Sequence, residues 1–192
     1  MATTERRQAA ILYSELRNFT RLSEALEAAK VIELANEFFA LCVRAVTANG
    51  GTVVCVHNDA LLGAFSGADA NQFSAQALKA AQAIQQQFAP LGERWQTAYG
   101  LAPAVSAGLH LGEAVFGAAG GQAIALGEGV SIAERMMHRA RAGEIVISLD
   151  LMKGLGAAVQ TLAAAELPPL ELGKRAPIPI YGMVVETRLD FT

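Results

Sequence analysis

Apolar positions along this chain change their period several times, and each change marks an element. Ala9 to Ser14 is a nearly continuous apolar run, which predicts a short buried strand ended by Glu15. "LRNFT" breaks that pattern and is expected to be irregular. From Val31 the apolar positions Val31, Leu34, Ala35, Phe38, Cys42, Ala45 and Val46 recur at helical spacing, until Asn49-Gly50-Gly51 supplies a left-handed stop. Thr52 to Val56 and Ala60 to Phe65 read as a hairpin around His57-Asn58-Asp59, because Asn and Asp side chains bond their own backbone in turns. Asp69 caps a second long helix, with Ala77, Leu78, Ala81, Ile84 and Phe88 as its buried stripe.

"LGERWQTAYGL" is polar and reads as a surface loop. "APAVSAGLHLGEAVFGAAG" reads as a second hairpin turning at Leu111-Gly112-Glu113. A third helix is expected from about Val130 to Arg141, ending near Gly143 and leading into the strand "EIVIS". The proline-punctuated tail "LPPLELGKRAPIPIYGMVV" suits edge strands. Strand, helix, hairpin, helix, hairpin predicts an α+β fold with a ferredoxin-like split β-α-β core, a mainly antiparallel sheet with helices.

Composition narrows the class. With 192 residues, 53% of them hydrophobic and 17% charged, the chain is expected to form a single domain over 1–192 with a sizeable core. Lys and Arg total 15 and are scattered, which argues against a nucleic-acid partner. The start "MATTERRQAAILYSEL" is too short in its apolar part for a signal peptide. Leu101 to Val130 contains Pro103, His110, Glu113 and Glu128, so no apolar run approaches the ~18 residues a membrane segment needs. A cytoplasmic location is therefore expected, with Cys42 and Cys55 as buried reduced thiols.

Few residues remain for chemistry. Asp59 fits a turn or a metal site, and Glu15 at the end of the first strand can lie beside it in a split β-α-β sheet. Hard cations such as Mg²⁺ are often held by one or two carboxylates plus substrate phosphates. "ELRNFTRLSE" exposes backbone N–H groups ahead of a helix, where an anion is favoured. Arg135 in the third helix and Lys174 in the tail are candidate phosphate contacts. His57, His110 and His138 have no ligand spacing, and no nucleophile-elbow or triad signature is present.

In order along the chain, these segments resemble the class III nucleotidyl cyclases, the adenylate and guanylate cyclase catalytic domains. "ILYSELRNFTRLSE" is similar to that family's V-L-F-A-D-I-R-G-F-T, and "GGTVVCVHNDALLGAF" to its G-G-T-V-D-K-F-I-G-D-A-L-M-A-V-F. "SAGLHLGEAVFG" resembles G-I-H-x-G-E-V-V-x-G, and "ALGEGVSIAERM" resembles V-I-G-D-A-V-N-L-A-A-R-L. The resemblance implies a homodimer, or a heterodimer with another cyclase domain, paired head to tail around a shared site. There a nucleoside triphosphate becomes a 3′,5′-cyclic monophosphate and pyrophosphate with Mg²⁺ or Mn²⁺. It assigns the metals to Glu15 and Asp59, and the triphosphate to Asn18, Phe19, Thr20 and Lys174. Arg135 takes the transferring phosphate, and Ser131 stands where the family has a ribose-orienting asparagine.

The departures fall on recognition. Glu15 is one methylene longer than the family's aspartate. Cys55 occupies the base-reading lysine position and Ile124 that of its partner, so this pair matches neither the adenine nor the guanine code. Weak or absent turnover of ATP and GTP is expected, because each lost charge-stabilising group typically costs ~10²–10³ in rate. The alternative is a degenerate cyclase-homology domain acting as a nucleotide-binding or dimerisation module. A diguanylate-cyclase reading would need a Gly-Gly-Asp/Glu-Glu-Phe turn, which "HLGEAVFG" lacks.

Overall fold

An eight-stranded, mostly antiparallel sheet carries helices on both faces in the computed structural model, which describes residues 4–185. The chain runs β1 (Glu5–Arg17), α1 (Phe19–Ala25), α2 (Ala28–Ala48), β2 (Thr52–His57), β3 (Ala60–Phe65) and α3 (Ala70–Tyr99). It continues through β4 (Ala104–Ala119), β5 (Gln122–Leu126), α4 (Glu128–Arg139), β6 (Glu144–Ser148) and α5 (Leu149–Gly154). A 3₁₀ turn over Gly156–Thr161 then leads to β7 (Ala165–Leu170) and β8 (Ile178–Val184). The strand order is β2-β3-β1-β4-β6-β8-β7, with β5 folded back on β4 and β4–β6 the parallel pair. Its first four strands and the helices between them are the expected split β-α-β core. No helix among the described residues is long and apolar enough to cross a membrane.

The period of two in β1 sorts the molecule. Ala10, Leu12 and Leu16 enter the large core beneath α2 and α3, with Phe38, Ile84, Phe88 and Trp95. Ala9 and Ile11, with half-buried Tyr13, enter a smaller cluster with Val130 and Ala133 of α4. Glu15 is the next odd position and so falls on the α4 face. Gly108 of β4 is where α4 lies closest, since a Cβ there would come within 2.2 Å of the Ala133 carbonyl oxygen.

The expected caps are present. Gly50 adopts φ +79° after α2, and the Asp69 carboxylate accepts the Asn71 N–H at 2.9 Å. Several boundaries differ from expectation. β1 continues to Arg17, so Glu15 lies within the strand instead of ending it. The stretch read as a surface loop is the last part of α3: Phe88 and Trp95 stack edge-on at 5.7 Å, and the Trp95 Nε1–H donates to Glu37 at 3.0 Å. Buried aromatics two turns apart outweigh the polar residues between them. Leu111-Gly112-Glu113 is no turn but the middle of β4, and the chain reverses at Gly120-Gly121. Gly112 serves packing there, since a Cβ would press to 2.7 Å of His110 Nε2. The third helix begins two residues early and ends at Arg139. In the tail only β7 is an edge, because β8 pairs on both sides, with β6 and β7.

Candidate active site

Two carboxylates meet where β1 passes the β2–β3 turn. Glu15 pairs with Ala60 of β3 on one side and Ser106 of β4 on the other. Asp59 directly precedes Ala60, and its carbonyl accepts the Leu16 N–H at 2.8 Å. Asn58 takes φ +52° to close the hairpin, a conformation Asn tolerates better than most residues. Asp59 is thus a turn residue and a cleft residue at once.

Both carboxylates line a cleft of about 540 Å³ between the β2–β3 hairpin, β5 and α4. Tyr13, Cys55, Ile124, Gln122, Glu134 and His138 line it too, so the predicted base-pocket pair shares the cleft of the predicted metal pair. Glu15 Oε2 accepts from Arg17 Nη1 at 3.1 Å and Ser106 Oγ at 3.3 Å, and His138 Nδ1 stands 3.9 Å from Oε1. Burial holds the Asp59 carboxyl above its ordinary range and the Glu15 charge adds to this, while Asp59's own backbone N–H, His138 and Arg17 pull the other way. Burial also raises the Cys55 thiol. The Tyr13 hydroxyl is pushed up to about 12, by burial and then by the charge of Glu134.

The donor set suits a hard divalent cation. Two carboxylates line one cleft, and a cation would offset the burial and the Glu15 charge that together raise Asp59. Among the described residues no group of three or more His, Cys, Asp or Glu is arranged to hold a metal, so phosphates or water would complete the shell.

Ser131 and Arg135 lie elsewhere. With Glu128, Ile132, Leu172 and Arg175 they line a second cleft of about 460 Å³ on the other flank of α4. Ser131 Oγ bonds its own helix at the Gly127 carbonyl at 3.4 Å, and Arg175 pairs with Glu128. Lys174 is exposed in the β7–β8 turn, beside this cleft but not lining it. Asn18, Phe19 and Thr20 follow β1 outside the first cleft. Asn18 adopts φ +65° with its Nδ2 donating to the Ala102 carbonyl at 3.0 Å, and Phe19 packs on the core.

Tyr13, Glu134 and Arg175 escaped the sequence reading, and His138 was noted there only as a histidine without ligand spacing. A signal for two of them was present: Glu134 and His138 are one helical turn apart, as are Ser131 and Arg135. The two pairs are therefore offset ridges of one helix.

The chain matches the family model of the adenylate and guanylate cyclase catalytic domain over residues 1–175. It is 27% identical over 137 residues to adenylate cyclase 1 of Rhizobium meliloti (strain 1021), a match covering 68% of this chain but 20% of that protein. The adenylyl cyclase CyaB of P. aeruginosa superposes with a TM-score of 0.85 at 24% identity, covering 99% of this chain and 100% of that one. The guanylate cyclase domain of RhGC from Catenaria anguillulae, solved with GTP, gives a TM-score of 0.79 at 19% identity, covering 95% and 100%.

Proposed function

Because the chain belongs to the adenylate and guanylate cyclase catalytic domains of class III, we propose that two such domains share a site that slowly turns a nucleoside triphosphate into a 3′,5′-cyclic monophosphate and pyrophosphate. The observation that supports this best is the pairing of Glu15 and Asp59 in one cleft while Ser131 and Arg135 face another. Head-to-tail pairing would bring the second cleft of one copy against the first cleft of its partner.

Glu15 and Asp59 would hold Mg²⁺ or Mn²⁺, which when bound supplies positive charge to the triphosphate and acidifies the ribose hydroxyl. Arg135 neutralises the transferring phosphate, and Lys174 reaches the terminal phosphates from its exposed turn. Asn18, Phe19 and Thr20 offer backbone N–H groups at the start of α1. Ser131 gives the ribose a shorter hydrogen-bonding arm than an asparagine would, so turnover is slow. Residues 1–192 act as one domain, in the cytoplasm where triphosphates are available.

Purified protein incubated with Mn²⁺ or Mg²⁺ and each common triphosphate should release a cyclic product detectable by mass, and Asp59→Ala should abolish it. No product from any triphosphate with either metal would leave only a second reading, a nucleotide-binding or dimerisation module. One observation favours that module: Arg17 and Ser106 already occupy the Glu15 carboxylate.

A further inference from the structure

We propose that Arg175 is the residue through which this chain grips the triphosphate tail, and that Glu128 competes with the ligand for it, a conclusion that rests on the cyclase reading above. Arg175 lines the second cleft with Ser131 and Arg135, whereas Lys174 beside it does not. Gly173, at φ +71°, turns the chain between half-buried Leu172 on the cleft wall and Arg175. That turn brings the Arg175 guanidinium to the Glu128 carboxylate.

The placement follows from the helix. Glu128, Ile132 and Arg135 fall at i, i+4 and i+7 and so share one face of α4. Seven residues advance about 10 Å along an α-helix. Arg135 therefore stands at one end of the cleft and Arg175, paired with Glu128, at the other. An anionic chain laid along this face meets a guanidinium at each end.

Relative strengths decide which partner Arg175 keeps. The Arg175 and Glu128 side chains are 65% and 56% exposed, and ion pairs that open to water contribute little. A triphosphate offers several charged oxygens, and a guanidinium takes phosphate in a bidentate fork that a lysine ammonium cannot match. Lys174 adds only a solvated point charge from its exposed turn. Glu128 keeps a favourable setting without Arg175, because it stands in the first turn of α4, where the helix dipole favours negative charge. The carboxylate thus yields to the triphosphate, but its competition weakens binding.

Isothermal titration of the whole chain in Mn²⁺ with 3′-deoxy-ATP or 3′-deoxy-GTP tests this. Both analogues lack the hydroxyl that must attack the phosphate, so binding is read with no cyclisation. Arg175→Gln should weaken the tighter analogue about tenfold, and Lys174→Gln about twofold. Glu128→Gln should tighten it about threefold in the otherwise unaltered protein, and by nothing measurable in Arg175→Gln, where there is no guanidinium left to compete for. Both side chains are exposed, so these substitutions leave the core intact. Equal losses from Arg175→Gln and Lys174→Gln overturn the inference but spare the cyclase reading. So does a Glu128→Gln gain that is nil, or that is the same in both backgrounds, as plain repulsion of phosphate would give. Binding of neither analogue overturns the inference, and if ordinary triphosphates also yield no cyclic product the cyclase reading falls with it.

Discussion

The two flanks of α4 carry opposite chemistry. One cleft presents the Glu15, Asp59 and Glu134 carboxylates, and the other presents Arg135 and Arg175 against the single carboxylate of Glu128. A metal–triphosphate needs both kinds of group, acidic for the cation and basic for the phosphates. One helix separates them through an offset of a single residue between the Glu134/His138 and Ser131/Arg135 ridges. The contrast supports the proposal that each chain carries two half-sites, which pairing would complete.

The largest expected effect breaks that division of labour. Asp59→Ala and Arg135→Ala should each lower turnover at least ~10²–10³-fold on their own. An equal mixture of the two proteins should recover about a quarter of the unaltered activity, because half of the dimers are mixed and each then holds one intact site. Rate assays on the mixture decide this. No recovery, with subunit exchange verified, would mean that both clefts serve the same chain.

A single buried position supports both clefts. Gly108 lets α4 rest directly on β4, and a methyl group there would meet the Ala133 carbonyl oxygen at 2.2 Å and the Met137 amide nitrogen at 2.5 Å, both main-chain atoms. Gly108→Ala should cost about 1–3 kcal/mol of stability by overpacking, read from denaturant unfolding. Whatever folded protein remains should lose function on both flanks together, because the shifted helix carries both ridges. Unchanged stability would show that α4 moves without penalty.

How far the site was legible depends on where its signals sit in the chain. Glu15 and Asp59 could be placed side by side because strand pairing and the hairpin turn are local, whereas Cys55 and Ile124 were identified by family resemblance alone and only the structure puts them in the same cleft. Gly112 was misread because a glycine in an apolar run signals a turn as readily as a close approach, and only the His110 imidazole tells them apart. Trp95 was misread because its partners, Phe88 and Glu37, include a residue on another helix. Glu134 was overlooked and His138 was read alone, although their spacing marks one helical ridge. That Arg135 faces away from Asp59 depends on how α4 rotates over Gly108, which no local pattern encodes.

Chain repair gives a smaller effect than these disruptions. Ser131→Asn lengthens the side chain on the basic flank and supplies both a donor and an acceptor to the ribose. It should raise turnover about tenfold while leaving triphosphate affinity nearly constant, since a hydrogen bond made in the transition state appears in kcat. The same gain from a substitution in the acidic cleft would blur the contrast between the flanks.

The smallest effect concerns what both flanks share, the seating of α4 at its N-terminal end. His110, Gly112, Gly127, Glu128, Gly129 and Asp150 line a third cavity there, of about 410 Å³, together with Arg6 and Glu113. His110 is buried, with Nδ1 hydrogen-bonded to Ser148 Oγ at 2.9 Å. Burial holds its imidazole below the ordinary value of 6.5, and the charges of Asp150 and Glu128 offset part of that. The unfolded chain therefore takes up this proton more readily than the folded one. The stabilising contribution is complete above pH 6.5 and is lost as the pH falls through the depressed folded value. Melting temperature should decline over that window in the unaltered protein, and the decline should be shallower in His110→Gln, whose amide does not titrate. Because His110 lines the cavity at the N-terminal end of α4, its protonation should destabilise the fold that carries both clefts, whereas Asp59→Ala alters only one of them.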